Sequence, residues 1–286
     1  MKAYWAEGCL LKQVWGSLPY AEEPFLAWEW WESLGLPWGA VVIEAGSTPQ
    51  AAWPFAVRIV GPLRLHRHPL GMPWLSPRLY APLTTDAQRA PYLRVLVEHI
   101  QRTHRSLWAG SLSPAWSYLP PFAQAGLRLH ADGSFVLAPG EFEPDRELRR
   151  KLRQAENLPI SRIHPSEAFA FWEAHYPPGL KKRFVEVLRR LLRWPQPWQV
   201  LTVGHPPQAV GFFLIGEKRV WYIASARLPE AHPQAMTRLL SEAIHHTHAA
   251  QKTFDFSGSI LPGIERFFLS FCPHWEKRYR FSTWRL

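Results

Sequence analysis

The stretch Thr253–Phe271, TFDFSGSILPGIERFFLSF, sets one carboxylate and two hydroxyls at the seam between a strand and a helix. Alternation along the strand puts Phe254 and Phe256 on one face and Asp255 on the other. A carboxylate there can orient an amine or take its proton. It can equally accept hydrogen bonds from the following loop and fix the turn through Gly258. Ser257 and Ser259 can bind an anion or cap the helix that begins near Pro262.

Other side chains carry chemistry of the same kind. Tyr222, in VWYIASA, offers a phenol that can protonate a leaving group or bind a carbonyl, or simply packs as an aromatic. Arg227 follows on the same segment and is a candidate for substrate binding. If Trp221 or Arg227 fills the groove beside this strand, a binding role is favoured over catalysis. Glu173 and His175, in FWEAHYPP, stand near the end of a helix. His175 can act as a base near neutral pH, or it is an exposed cation suited to a helix C-terminus. Arg146, Arg149, Arg150 and Arg153 form a basic stripe able to track phosphates, Arg149 and Arg150 foremost, or to serve as a solvated face. The pairs HRH at His66–His68 and HHTH at His245–His248 lack carboxylate or cysteine partners at ligand spacing, so no metal is expected. No Ser-His-Asp elbow, P-loop or dinucleotide fingerprint occurs.

The elements that must position these groups are legible from periodicity and punctuation. A helix is expected over 22–34, then the strands GAVVIEA and AAWPFAVRIV, a proline-rich passage, and a helix over 86–103. Asp145 is a plausible N-cap for RELRRKLRQAEN, whose Leu148, Leu152 and Ala155 share a face. Helices over 166–175 and GLKKRFVEVLRRLLR lead into three strands, WQVLTV, QAVGFFLI and RVWYIASA, joined by GHPP and GEK as an antiparallel meander. The helix AMTRLLSEAIHHTHA, the strand TFDF, a last helix and the strand EKRYRFSTW complete the chain. The step from RVWYIASA through a helix to TFDF makes those two strands parallel. The fold class is therefore α/β with a mixed sheet, in two halves, 1–133 and 134–286.

The chain has 286 residues, enough for two domains of about 100–150 residues each. Its net charge of +10 points to anionic partners. Two cysteines, Cys9 and Cys272, exclude a disulfide framework and fit a reduced, cytoplasmic setting. No run of about 18 apolar residues is present, so no membrane span is expected, while peripheral contact with a membrane stays open.

With these elements in order, the second half resembles the GNAT-like acyltransferases, and among them the FemAB-like proteins with two GNAT-like domains in tandem. LRRKLRQAENLPISRI, FWEAHYPPGLKKRFVEVLRRLL and, most specifically, FDFSGSILPGIERFFLSF carry the likeness, over about Phe135 to Phe281. The first half resembles them through PFAVRIVG and the passage around WLSPRLYAP, as a degenerate copy. The resemblance implies transfer of an acyl or aminoacyl group to an amine, with acyl-CoA or aminoacyl-tRNA as donor. It also implies a cleft with Asp255 and Tyr222 near the point of transfer. Acetyl-CoA-dependent members hold the donor pyrophosphate at a glycine-rich turn before a helix. The matching turn here, SARLPEAHPQ, has no glycine. The alternative is a non-catalytic binding or scaffold protein of the same fold with affinity for an anionic partner.

Overall fold

A computed structural model of the protein describes residues 1–283 apart from 22, 70–71, 104–105, 117, 177–181, 195–197 and 258–261. Two compact units divide it: Met1–Gly133 together with Lys277–Leu286, and Ser134–Glu276. The sequence reading keeps everything after residue 134 in one domain. Lys277–Leu286 instead belongs to the first unit, because Tyr279–Ser282 pairs with a strand there.

The first unit contains strands β1 (Lys2–Ala6), β2 (Trp38–Ala45), β3 (Thr48–Val60), β4 (Leu63–Arg67), β5 (Arg78–Leu79) and β6 (Ser106–Leu112). Its helices are α1 (Gly8–Ser17), α2 (Trp28–Ser33), α3 (Asp86–Arg102) and α4 (Pro120–Gln124). The strands lie in the order β1-β2-β3-β4-β6. All neighbours are antiparallel except β4 and β6, which run parallel across the crossover through α3. The helix expected over 22–34 resolves into a 3-10 turn at Pro24–Leu26 followed by α2. Helix α3 starts on a full capping box. Thr85 accepts from the Gln88 N–H, and Gln88 reaches back to the Thr85 N–H, satisfying two donors that open a helix.

Strand β7 (Arg128–Leu137) leads into the second unit, which continues with β8 (Ile160–Arg162), β9 (Trp198–Val203), β10 (Ala209–Ile215), β11 (Arg219–Arg227) and β12 (Thr253–Asp255). Its helices are α5 (Arg146–Gln154), α6 (Pro165–His175), α7 (Lys182–Leu191), α8 (Ala235–Ala249) and α9 (Pro262–Leu269). A last strand, β13 (His274–Ser282), crosses from the second unit to the first. The order within the second unit is β7-β12-β11-β10-β9-β8, with β11 and β12 parallel and the meander β9-β10-β11 antiparallel.

Alternation along the meander builds two cores, one on each face of the sheet. Leu201, Val203, Ala209, Phe213 and Val220 turn toward α5, α8 and α9, where Leu148, Leu239, Leu240 and Phe268 meet them. Val200, Val210, Phe212, Ala224 and Ala226 turn the other way, onto Phe169 and Trp172 of α6 and Leu188 of α7. Covering both faces explains why these strands read as nearly unbroken apolar runs.

Candidate functional site

Strand β11 changes phase in its middle. Phe213 opposes Tyr222 and Phe212 opposes Ala224, so Ile223 is an extra residue, a β-bulge. Before the bulge, Val220 and Tyr222 belong to the α8 face; after it, Ala224 and Ala226 belong to the α6 face. In a regular strand the side chains of residues 222 and 225 would lie on opposite faces. The bulge puts them on one, and the Tyr222 hydroxyl donates to Ser225 Oγ. The Ser225 carbonyl accepts from Trp172 Nε1 at 3.1 Å, which ties the bulged segment down to α6.

The same strand loses a neighbour at this point. Strand β12 pairs with β11 at Arg219, Val220 and Trp221 only. Among the described residues no strand takes its place beside Tyr222–Arg227. Bulge and parting together leave an edge of β11 that is unpaired among the described residues, next to two hydroxyl groups. Tyr222 is half-buried between Phe213, at 5.6 Å, and Phe268, at 5.8 Å. Burial pushes its phenol up to about 12, against the opposing effect of Ser225, so it stays protonated at neutral pH. Arg227 stands exposed at the end of β11, and Trp221 is buried.

Asp255 is placed differently from a group awaiting substrate. It is 0% exposed. Oδ2 accepts from Arg219 Nη1 at 2.8 Å, and Oδ1 accepts from the Ser257 N–H at 2.7 Å and from the Ser134 hydroxyl. Arg219 also forks onto Glu276, with contacts of 2.7 and 2.9 Å. Burial works against the Arg219 charge, and the hydrogen bonds and charges of Glu276 and Asp255 outweigh it, raising its pKa further. Every oxygen of Asp255 is engaged, and one of its donors is the loop N–H that an Asx turn supplies. Ser257 adopts φ 58°, a left-handed conformation that this turn imposes. Ser259 lies outside the described residues.

Glu173 and His175 belong to α6, on the face opposite Tyr222. Both are exposed. Glu173 is bound to Arg189 of α7, and the His175 ring packs 5.0 Å from Phe171. The structure therefore does not bring them together with Tyr222.

The basic stripe of α5 divides. Asp145 caps the helix by accepting from the Leu148 N–H at 2.6 Å. Arg150 turns aside and forks onto Glu147 at 2.9 and 2.7 Å. Arg146, Arg149 and Arg153 instead line a groove of about 520 Å³ between α5 and α8, facing Arg238, Ser241 and His245. The turn before α8 is internally bonded. The His232 N–H donates to Gln208 Oε1 at 2.9 Å, and the Gln234 N–H to His232 Nδ1 at 3.2 Å.

The Arg219–Glu276 link and the Tyr222–Ser225 contact have no signal in sequence spacing. Among the described residues no cluster of three metal-ligating side chains forms, and no helix is long and apolar enough to cross a membrane.

No protein-family profile and no curated protein matches the sequence. Solved structures do match the fold. FemX is similar over 98% of this chain and 97% of its own, with TM-score 0.64 at 9% identity. L-PGS from Bacillus licheniformis matches over 94% of this chain and 90% of its own, with TM-score 0.61 at 12% identity. A tandem GNAT protein from the clavulanic acid biosynthesis pathway matches over 98% of both chains, with TM-score 0.53 at 12% identity. The mixed α/β architecture of this chain is thus the fold of FemX and of tandem GNAT proteins.

Proposed function

We propose that the chain transfers an acyl or aminoacyl group to an amine, at the edge of β11 beyond the point where it parts from β12. The observation that carries this reading is the bulge at Ile223, which sets the Tyr222 and Ser225 hydroxyls on one face beside that edge. Tyr222 donates to Ser225, which leaves the serine proton for another acceptor. In the transfer an amine nitrogen attacks the acyl carbon, the new amide bond forms, and the ester or thioester bond breaks. The amine sheds one proton as the amide forms and the departing oxygen or sulfur takes one up, and the Ser225–Tyr222 pair is suited to relay it from one to the other. Asp255 takes no part as a base: its oxygens are filled and sealed from solvent.

Both donor classes implied by the fold are open to this chemistry. The turn before α8 has no glycine and uses two of its N–H groups internally, which favours a donor not held there by its pyrophosphate. That supports a charged tRNA over acyl-CoA. The test is incubation with labelled acyl-CoAs and with labelled aminoacyl-tRNA, each with a panel of amines, read by mass spectrometry. Labelled amide should form with one donor class and fall at least about tenfold in Ser225→Ala and Tyr222→Phe, the usual scale for a lost transition-state hydrogen bond. Absence of amide with every donor sinks the proposal. A second reading, a binding protein of the same fold, is favoured by the sealing of Asp255; donor binding without turnover would establish it.

A further inference from the structure

The groove between α5 and α8 is a separate feature of the second unit, and its chemistry does not depend on acyl transfer. Its wall is cationic on both sides. Arg146, Arg149 and Arg153 project from α5, with Arg238 and His245 opposite on α8, and Glu156 is the one carboxylate among the lining residues. The three α5 arginines form no ion pair among the described residues, although their neighbours Arg150 and Lys151 both find Glu147. Arg238 pairs with Glu242 at 3.4 Å through Nη1, while its Nε is buried and donates to no acceptor.

Size narrows the ligand. A cavity of about 520 Å³ falls in the range of small-molecule sites, about 300–1,000 Å³. Planar guanidinium forks on two walls match phosphate oxygens in pairs. Glu156 would repel a bare phosphate but accepts hydroxyl donors, as on a sugar. We propose that this groove binds a small organic polyphosphate of the nucleoside diphosphate class, phosphates on the arginines and sugar hydroxyls toward Glu156.

The contrast between adjacent arginines supplies the test. Calorimetric titration of the full chain with ADP, and competition by inorganic pyrophosphate, are compared for wild type, R149E/R153E and R150E. Residues 149 and 153 lie off the Leu148–Leu152–Ala155 face, and circular dichroism checks that folding is kept; should the double variant not fold, R153A takes its place. ADP should bind the wild type and be displaced by pyrophosphate. Affinity should fall at least about tenfold in R149E/R153E, since two charge-assisted contacts are reversed in sign, and by less than about twofold in R150E, whose guanidinium is already paired. No ADP binding overturns the proposal. So does an equal loss in R150E, which would mark a general charge effect. Binding of an RNA oligonucleotide without ADP binding also overturns it and points to an extended basic face. Transfer activity is not read in this experiment, so its outcome is independent of the function proposed above.

Discussion

A strand, a helix and a second strand parallel to the first occur in each unit, as β4–α3–β6 and as β11–α8–β12, and the two copies hold themselves together differently. In the first unit the register sets His66 beside Trp108, and the rings stack at 3.8 Å. Trp5 closes on that histidine edge-on at 4.4 Å. Burial, then the positive charges of Arg64 and His99, push the His66 pKa down to about 3, so the imidazole is neutral. In the second unit the equivalent pairing sets Trp221 beside Asp255, and the buried group is a full charge held by Arg219. One copy avoids charge and the other compensates it. Only the copy with the charge carries the bulge and the parted strand edge beside two hydroxyls. A buried ion pair fixes geometry at the cost of desolvation, and here it ties the first paired residue of β11, Arg219, to the last of β12, Asp255, where the strands part.

The comparison breaks most severely at Asp255. Asp255→Ala removes a fully buried carboxylate from the half-buried Arg219 and should cost about 3–5 kcal/mol, the scale for breaking a buried pair by removing one member. Urea denaturation followed by tryptophan fluorescence measures it, and a loss below about 1 kcal/mol would show that the clamp contributes little. The next effect is on pH. His66 binds fewer protons folded than unfolded between about pH 6.5 and 3. Its contribution is therefore complete above the unfolded value and is lost as pH falls toward 3. His68, also held down to about 3 by burial, adds to the same limb. His66→Gln should flatten the fall in unfolding free energy between pH 7 and pH 4 by a few kcal/mol, at about 1.4 kcal/mol per unit of depression. Parallel wild-type and variant curves would contradict a neutral buried His66. The smallest effect is at the bulge. Tyr222→Phe keeps the ring packing and removes one hydrogen bond, so thermal unfolding should register about 1 kcal/mol. A loss several times larger would mean that the hydroxyl contact holds the bulge itself in place.

Much of the framework is legible in the sequence. The Asp145 cap, the phase of α8, the meander with its turns and the parallel step into TFDF follow from punctuation and period, and the structure has them all. What escapes is what alternation cannot encode. Helix α1 is unforeseen because GCLLKQVWGS carries glycines at or near both ends and its N-cap Glu7 makes no side-chain capping bond. The bulge is unforeseen because WYIASA reads as a regular strand whichever residue is extra. Asp255 is visible as a carboxylate at a seam, but its partners Arg219 and Ser134 are remote in sequence, so spacing alone leaves both base and turn-former open. Arg149 and Arg150 look alike in a stripe. Adjacent helical positions differ by about 100° in direction, enough to send one into a groove and the other to Glu147.

Each of the two strands that bridge the units serves the unit into which it continues. Ser134–Leu137 ends a strand begun in the first unit, and there Val136 and Leu137 pair with Asp255 and Phe254. Lys277–Ser282 ends a strand begun in the second unit, and Tyr279–Ser282 pairs with Leu112–Ala109. The chain is therefore not modular in the way its repeated element order suggests. A cut after residue 276 removes the C-terminal strand partner of β6, leaving Ala109–Leu112 with an unpaired edge, the kind that recruits another chain and aggregates. During synthesis the first unit's sheet must wait for the last strand to leave the ribosome. Splitting the chain after Gly133 would strip the first unit of the strand that pairs with β6, while the second would keep its Val136–Leu137 pairing.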